Sequence, residues 1–397
     1  MTDTLDLTYA HVMYARMRTL AVFRGLNSDP VVAAFNEMLR SVSDLEFADA
    51  CGNFESLLFA SGDCWSLYLL NAVLNDENAA VRMHACGESN GTIDASVIRE
   101  LKVLADASMV VLSDFTWDSA GLFTPWKIYA IDFKKEYLHH LEEVSVKGYG
   151  MFAEAHVFSL KEDRLVPVRT PDSRRLSELP GYEAERSKII ANVEALLRGE
   201  PAVNMLLYGD AGTGKSSTIK AIANEYADQG LRLIEVKKNQ LYQIPDVLSE
   251  LADQPLKFIL FIDDLSFSTY DDNFAALKAI LEGSVSERSD NTIVAATSNR
   301  RHMIRELMSD RMGDDIHEND TREELLSLSA RFGLIVTFQK PDKNRYLYIV
   351  KEVAKEYGVT MDETELCERA EQYALRAGGR TPRVARQFIE QIKSGVL

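Results

Sequence analysis

The sequence predicts an α/β protein in which a parallel sheet is flanked by helices. Apolar strands alternate with amphipathic helices over residues 181–340, a pattern typical of a parallel sheet covered on both faces. A glycine-rich loop follows the first of these strands directly. From residue 341 onward only helical patterns recur, which indicates a helical subdomain, and a separate mixed α+β domain is expected before the sheet.

Length and composition limit the class of protein. A chain of 397 residues is long enough for two or three domains. It contains no apolar run of the roughly 20 residues that span a bilayer, and its first residues lack the pattern of a secretory signal, so no membrane partner is expected. The four cysteines form no C-x-x-C pair, which argues against a zinc site or a disulfide scaffold and favours a reducing cytoplasm.

The N-terminal part, residues 1–165, is acidic. Residues 1–170 hold about 24 Asp and Glu against about 14 Lys and Arg, roughly −10 of the formal net charge of −17. Helical spacing in "VVAAFNEMLRSV" and "WSLYLLNAVLN", with alternation in "KIYAIDF" and "EAHVFSL", predicts an α+β domain without a chemical motif. Such charge repels nucleic acid, so a protein client on this domain is the expected partner.

Composition and the pattern of apolar residues predict the remaining domain boundaries. The polar, proline-containing residues 166–180 predict a linker. Residues 181–340 then give the strands "VNMLLYG", "LRLIEVK", "KFILFIDD", "NTIVAATSN" and "RFGLIVTF", separated by helices such as "NFAALKAILEGS". Residues 341–397 read as three helices, the lid subdomain.

The stretch "LLYGDAGTGKSS" carries the spacing G-x-x-x-x-G-K-[ST] between a predicted strand and a predicted helix. Glycines let the backbone approach phosphate oxygens, and the N–H groups at the helix start face the anion. Lys215 adds charge near the β- and γ-phosphates, and Ser216 offers a hydroxyl to Mg²⁺. The residues expected to hold the nucleotide are Gly209, Asp210, Ala211, Gly212, Thr213, Gly214, Lys215, Ser216 and Ser217.

Polar residues end two later strands. Asp263 and Asp264 follow "FILFI", at the sheet edge where the glycine-rich loop also lies, because parallel strands end together. Asp263 is the candidate second Mg²⁺ ligand, and Asp264 the candidate base that polarises an attacking water. Asn299 ends "IVAATSN", where it orients that water or contacts the γ-phosphate, unless it is an ordinary polar residue of a loop.

Arginines form the last candidates. Arg331 in "SLSARFGL" either reaches the γ-phosphate of a neighbouring subunit or pairs with a surface carboxylate. Arg380, Arg383 and Arg386 surround the start of the last helix, and Arg383, one residue past Pro382, is chosen as the phosphate contact. A solvated basic face is the alternative for all three.

These motifs together resemble the AAA+ ATPases. The order of glycine-rich loop, "FILFIDD", "TSN", "ARFGL" and C-terminal helical arginine is that of the superfamily. Within it, residues 175–395 look like a group of bacterial ATP-binding proteins catalogued as a domain of unknown function, near the replication-initiator and helicase-loader ATPases. The resemblance implies ATP and Mg²⁺ as cofactors and a homo-oligomer.

The resemblance also implies roles for single residues. Gly209 to Ser216 is like Walker A, and Asp263–Asp264 is like Walker B. Asn299 is like sensor 1, Arg383 like sensor 2, and Arg331 like an arginine finger acting in trans. Gly181 and Tyr182, in "LPGYE", are similar in position to residues that flank adenine.

One departure from the AAA+ pattern bears on activity. Most members end Walker B with Asp-Glu, whereas this chain has Asp-Asp, which retracts the base by a methylene and implies slow turnover. Two functions therefore stay open: an oligomeric ATPase acting on a macromolecular client, and a nucleotide-gated binding module with little hydrolysis. A small-molecule kinase would leave the sensor and finger residues unexplained. Nucleic acid is a possible client that the acidic charge does not support, and the basic cluster "RHMIRE" is a weak signal for it.

Overall fold

The computed structural model describes residues 9–162, 164–252, 254–265, 277–278, 280–281, 290–299 and 331–396. The chain divides into two compact units, Met1–Glu154 and Ala155–Leu397. None of the helices in these described ranges is long and apolar enough to cross a membrane. The predicted helix "NFAALKAILEGS" lies mostly outside the described residues, and "RHMIRE" lies wholly outside them.

The first unit is built from helices around an aromatic core. Trp65 packs against Phe35 and Phe54, with ring centroids 4.4 and 5.2 Å apart, and its indole N–H donates to the Ala107 carbonyl at 3.0 Å. Side-chain caps start several helices, as where Asp29 accepts two backbone N–H groups ahead of Pro30. The helices are α1 (Tyr9–Met17), α2 (Pro30–Arg40), α3 (Asp44–Ser61), α4 (Trp65–Leu74), α5 (Ala79–Ala85), α6 (Gly91–Ala107), α7 (Phe133–Lys147) and α8 (Met151–Glu154).

Of the two strands predicted for the N-terminal domain, the structure contains one. In "KIYAIDF", Lys127 forms only an isolated bridge to Cys64, and α7 begins at Phe133 because the Asp132 carboxylate caps it through the Lys135 N–H. The segment "EAHVFSL" does form a strand, but that strand belongs to the second unit. The first unit therefore ends near residue 154 rather than 165.

A seven-stranded, mostly parallel sheet forms the centre of the second unit, as predicted. Its order is β2-β1-β4-β5-β6-β3-β7, and only the β1–β2 pair is antiparallel. The strands are β1 (Val157–Lys161), β2 (Arg164–Pro167), β3 (Met205–Gly209), β4 (Leu231–Val236), β5 (Lys257–Ile262), β6 (Thr292–Asn299) and β7 (Leu334–Phe338). Most β3–β6 residues are buried, which accounts for their continuous apolar runs.

Helices cover this sheet and extend beyond it. The helices of the sheet region are α9 (Glu183–Leu197), α10 (Lys215–Tyr226) and α11 (Ile244–Leu251). The predicted C-terminal helical region is confirmed as α12 (Lys343–Glu356), α13 (Glu363–Arg376) and α14 (Pro382–Lys393). The expected linker, residues 166–180, starts as the end of β2 and contains a 3₁₀ turn at Leu176–Glu178. It therefore forms part of the second unit rather than a free connection.

Candidate nucleotide-binding cleft

A cavity of about 710 Å³ opens at the carboxyl edge of the sheet, between the glycine-rich loop and the C-terminal helices. Pairing of β3 with β6 places Gly209 directly opposite Asn299, and β5 ends beside β6. The predicted phosphate loop, the two aspartates and the asparagine therefore share one edge. Its walls include Ala211–Thr218, Asp263, Asp264, Thr297, Asn299, Leu179, Pro180, Tyr182, Ile349, Val353, Arg383 and Arg386.

Gly209 and Gly214, at the two ends of the loop, have backbone conformations that residues with a side chain adopt poorly. Gly209 has φ 144°, and a Cβ there would lie 2.1 Å from the Phe338 carbonyl oxygen, so the close approach to β7 requires glycine. Gly214, with φ 93°, precedes the first residue of α10. The loop is closed internally where the Thr213 hydroxyl donates to the Asp210 carbonyl at 2.8 Å. The result is a helix start facing the cavity, an arrangement that binds phosphate.

Lys215 is buried at the base of this loop and is 6% exposed. Its ammonium donates to the Gly209 and Asp210 carbonyls, at 3.1 and 2.9 Å, and to Asn299 Oδ1 at 3.0 Å. Burial lowers the pKa of Lys215, and the nearby carboxylates, Asp210 first, oppose that shift. The cavity thus holds a poorly solvated ammonium beside the helix start, where an incoming phosphate would compensate its charge.

Ser216 and Asp263 lie together as a magnesium site requires. The Ser216 hydroxyl donates to Asp263 Oδ1 at 2.6 Å. In the described part of the chain no group of three or more His, Cys, Asp or Glu residues is arranged to hold a metal. One hydroxyl and one carboxylate nevertheless fit Mg²⁺, which usually keeps several waters and takes its other ligands from substrate phosphates.

Asp264 and Asn299 form a second polar pair at the same edge. Asn299 Nδ2 donates to Asp264 Oδ1 at 2.6 Å, while Asn299 Oδ1 accepts from Lys215. Asp264 has φ 54°, in the left-handed region that aspartate tolerates better than most residues. Asn299 therefore links the lysine to the second aspartate.

Tyr182 lines the cavity and Gly181 precedes it in the chain, but the tyrosine ring is packed against other side chains. The ring stacks on Phe338 at 5.4 Å, and the Arg345 guanidinium lies 4.9 Å from its centroid. The Tyr182 hydroxyl donates to the Gln339 carbonyl at 2.6 Å. A Cβ on Gly181 would meet Ile349 at 3.0 Å. The apolar part of the cavity wall includes Leu179, Pro180, Ile349 and Val353.

The three arginines near the start of α14 have different surroundings. Arg380 forms a two-point ion pair with Glu371, at 2.8 and 2.6 Å, and is absent from the cavity wall. Arg386 lines the cavity and pairs with Glu356 at 3.3 Å. Arg383 also lines it, and its backbone N–H donates to the Gly212 carbonyl at 3.3 Å. Among these three arginines, Arg383 alone contacts the loop and has a guanidinium that forms none of the described ion pairs.

Arg331 lies at the opposite edge of the sheet. It precedes β7, whose residues Leu334 and Phe338 pair with Met205 and Gly209 of β3. About 13 Å of strand therefore separates the start of β7 from the level of the phosphate loop. The structure does not bring Arg331 together with the other predicted site residues of its own chain.

Arg174 and Thr297 are among the cleft residues that were missed from the sequence. Arg174, in the expected linker, lines the cavity and pairs with Asp172, a hydrogen bond that raises the pKa of Arg174. Thr297 lines it too, two residues before Asn299 and on the same face of β6. A period of two along the strand was a usable signal for Thr297. The sequence around Arg174 contains no such signal, since it resembles an ordinary polar linker.

Known proteins with similar sequences include RuvB proteins and a replication factor C subunit. The Holliday junction branch migration complex subunit RuvB of Koribacter versatilis is 28% identical over 223 residues, covering 55% of this chain and 57% of that protein. A RuvB from Streptococcus equi is 25% identical over 228 residues, with 57% and 63% covered. The replication factor C large subunit of Staphylothermus marinus is 31% identical over 75 residues, 19% and 17% of the two chains.

Solved RuvB structures align with part of this chain. The Thermotoga maritima RuvB Holliday junction branch migration motor aligns with a TM-score of 0.37 and 21% identity, covering 55% of this chain and 64% of that one. The chain thus spans less than two-thirds of the RuvB proteins it matches. The resemblance to an AAA+ family near replication and helicase ATPases is confirmed. Residues 152–396 match the family model described as "Protein of unknown function (DUF815)", and the chain belongs to that family.

Proposed function

We propose that this chain binds Mg-ATP in the cleft and hydrolyses it slowly, as an oligomeric AAA+ ATPase acting on a macromolecular client. The observation that carries the proposal is the linked set Lys215, Asn299 and Asp264 beside Ser216 and Asp263. A phosphate-binding loop alone fits many protein classes. A loop whose lysine is joined through an amide to a second aspartate fits cleavage of the terminal phosphate.

Each residue of the set has a role in the proposal. Lys215 and the N–H groups of the loop bind the β- and γ-phosphates. Ser216 and Asp263 hold Mg²⁺, which when bound supplies positive charge against the developing charge of the phosphates. Asp264 accepts a proton from the attacking water, and Asn299 orients Asp264 through the 2.6 Å hydrogen bond. Tyr182 and Gly181 shape the base end by packing.

Two arginines complete the proposed reaction. Arg383 contacts the γ-phosphate from α14 of the same chain, supported by its place beside Gly212. Arg331 acts on the nucleotide of a neighbouring subunit, supported by its position at the sheet edge away from its own loop. RuvB relatives are named as subunits of a complex, which agrees with a homo-oligomer. A cation aimed at the transferring phosphate contributes strongly to the rate.

The second candidate is a nucleotide-gated binding module with little hydrolysis. The short Asp264 side chain favours this alternative, because it retracts the base by one methylene relative to the glutamate of most AAA+ proteins. ATP would then order the assembly, and a partner would be recruited in that state. Both candidates share the nucleotide site and differ in turnover.

The client is proposed to bind the unit Met1–Glu154. The acidic balance of the N-terminal residues favours a protein over nucleic acid. The names of the relatives, which include a Holliday junction motor and a replication factor, make DNA the alternative to test. The four cysteines are free in the structure, which agrees with the proposed reducing cytoplasm.

A comparison of wild type with Lys215→Ala and Asp264→Asn tests the proposal. Binding is followed with a fluorescent ATP analogue, and hydrolysis by phosphate release. We expect Lys215→Ala to lose both, whereas Asp264→Asn retains binding and loses release. Retained binding in Lys215→Ala would overturn the nucleotide site. Binding without release in wild type, at every protein concentration, would favour the gated module.

A further inference from the structure

A buried hydroxyl group connects the two aspartates of the cleft. Thr297 is 2% exposed and lies on β6, next to the end of β5. Its hydroxyl donates to Asp263 Oδ1 at 2.6 Å and accepts the backbone N–H of Asp264 at 2.9 Å. Nothing in the sequence comparison or in the roles given above requires a hydroxyl at this position. We propose that Thr297 positions Asp263 for magnesium and thereby sets the magnesium dependence of nucleotide binding, an inference that rests on the proposed function.

The hydrogen bonds to Asp263 show how the carboxylate is oriented. Oδ1 accepts from Ser216 at 2.6 Å, from Thr297 at 2.6 Å and from the Asp264 N–H at 3.1 Å. All three bonds from described residues end on the same oxygen. Thr297 therefore fixes the rotation of the carboxylate, which leaves Oδ2 for the water shell of a metal ion. Groups that orient a metal ligand in this way contribute to metal affinity.

Thr297 also fixes the backbone between the two aspartates. The Leu265 N–H donates to the Thr297 carbonyl at 2.7 Å, while the Thr297 hydroxyl accepts from Asp264. These bonds flank Asp264, which sits at φ 54°. A left-handed non-glycine residue persists only where its surroundings hold it. One side chain thus orients both the Asp263 carboxylate and the turn that presents Asp264.

The next residue along β6 provides a matched control. Ser298 is 1% exposed, and its hydroxyl donates to the Leu265 carbonyl at 2.8 Å. Side chains alternate along a strand, so Ser298 faces away from Thr297 and Asn299, and it is not part of the cavity wall. Removal of its hydroxyl tests the general cost of losing one buried hydrogen bond at this strand end, without touching Asp263.

The test measures nucleotide affinity with and without magnesium in the full chain. Wild type, Thr297→Val, Thr297→Ser and Ser298→Ala are titrated with a fluorescent ATP analogue in EDTA and over a Mg²⁺ series. We expect Thr297→Val to raise the Mg²⁺ concentration needed for half-maximal tightening by about tenfold, the scale for groups that orient a metal ligand. Its affinity in EDTA, measured beside that of wild type, separates the magnesium response from any direct contact between Thr297 and the nucleotide. Thr297→Ser keeps the hydroxyl and should therefore have the wild-type magnesium response. Ser298→Ala, the control, should also have the wild-type magnesium response.

The outcomes separate this inference from the proposed function. A wild type that binds no nucleotide defeats the proposed function itself. A wild type that binds with a normal magnesium response, matched by Thr297→Val, defeats only the role of Thr297. Equal losses in Thr297→Val and Ser298→Ala would also overturn it, since they would assign the effect to the stability of the strand end. If Thr297→Val does not fold, Thr297→Ala and Thr297→Ser give the same comparison.

Discussion

Lys215 and Asn299 are joined by a hydrogen bond of 3.0 Å between the lysine ammonium and the amide oxygen. That bond leaves the amide NH₂ to donate, and it does so to Asp264 at 2.6 Å. The lysine thus fixes which way the amide is turned, and the amide then orients the aspartate. A phosphate that binds Lys215 would therefore act on the orientation of Asp264 through Asn299.

Asn299→Ala is expected to reduce hydrolysis far more than binding. It removes the donor to Asp264 but leaves Lys215 with its two carbonyl partners. We predict a fall in kcat of about 100-fold, the usual scale for loss of a donor in a catalytic site, with little change in ATP affinity. Phosphate release under saturating ATP measures this. An equal loss in affinity would indicate that Asn299 holds the nucleotide instead.

Arg383→Ala is expected to weaken ATP more than ADP, because its proposed contact is the γ-phosphate. A hydrogen bond to a charged group contributes about 1.5–3 kcal/mol, so the ATP affinity should fall by about tenfold or more. Arg380→Ala is the matched control, since Arg380 pairs with Glu371 outside the cavity wall. Calorimetric titration with both nucleotides checks the pair. Loss of ATP preference in the Arg380 variant alone would reassign the contact.

Asp264→Glu is expected to change the rate of hydrolysis without abolishing ATP binding. The longer side chain moves the base by one methylene, whereas Lys215, Ser216 and Asp263 are unaltered. Glutamate is less suited than aspartate to φ 54°, so a loss of stability of about 1 kcal/mol accompanies the change. Phosphate release, a binding titration and urea unfolding measure the three effects. Lost binding would count against the assignment of Asp264 as the base.

Residues 155–397 are expected to bind ATP without the first unit. Every cleft residue named above lies in the second unit, Ala155–Leu397, and β1 and β2 complete the sheet of that unit. A fragment that starts at Ala155 should match the full chain in affinity, whereas one that starts at residue 181 should lose two strands and the Arg174 segment. A loss of binding in the longer fragment would show that the acidic unit contributes to the nucleotide site.

Local motifs made most of the candidate site predictable from sequence. Lys215 begins a helix, Asp263 follows β5 and Asn299 ends β6, and each of these elements has a clear pattern. Because parallel strands end at one edge, the meeting of these residues is a consequence of topology. The rest depends on contacts between distant segments. Whether "EAHVFSL" pairs inside the first unit or with β4 is decided by partners 70 residues and more away, as in the Val157–Leu233 pair.

The orientation of side chains was also beyond the sequence. That "LPGYE" lies beside the base of a nucleotide stays a prediction, and the Tyr182 ring itself is packed between Phe338 and Arg345. Residues 166–180 were predicted to be a linker because they are polar and contain prolines. Such a composition does not show which other residues the segment contacts. Asn224 on α10 binds the Asp172 and Arg174 carbonyls, both at 2.7 Å, and this anchors the segment beside the cleft.

A mixing experiment tests the central claim, an ATPase completed between subunits. Lys215→Ala lacks the nucleotide site but keeps Arg331, and Arg331→Ala keeps the site but lacks the finger. Each variant alone is expected to release almost no phosphate, and the mixture should recover activity that rises with protein concentration. A mixture that never exceeds the sum of its parts, or an Arg331→Ala variant as active as wild type, would contradict the account.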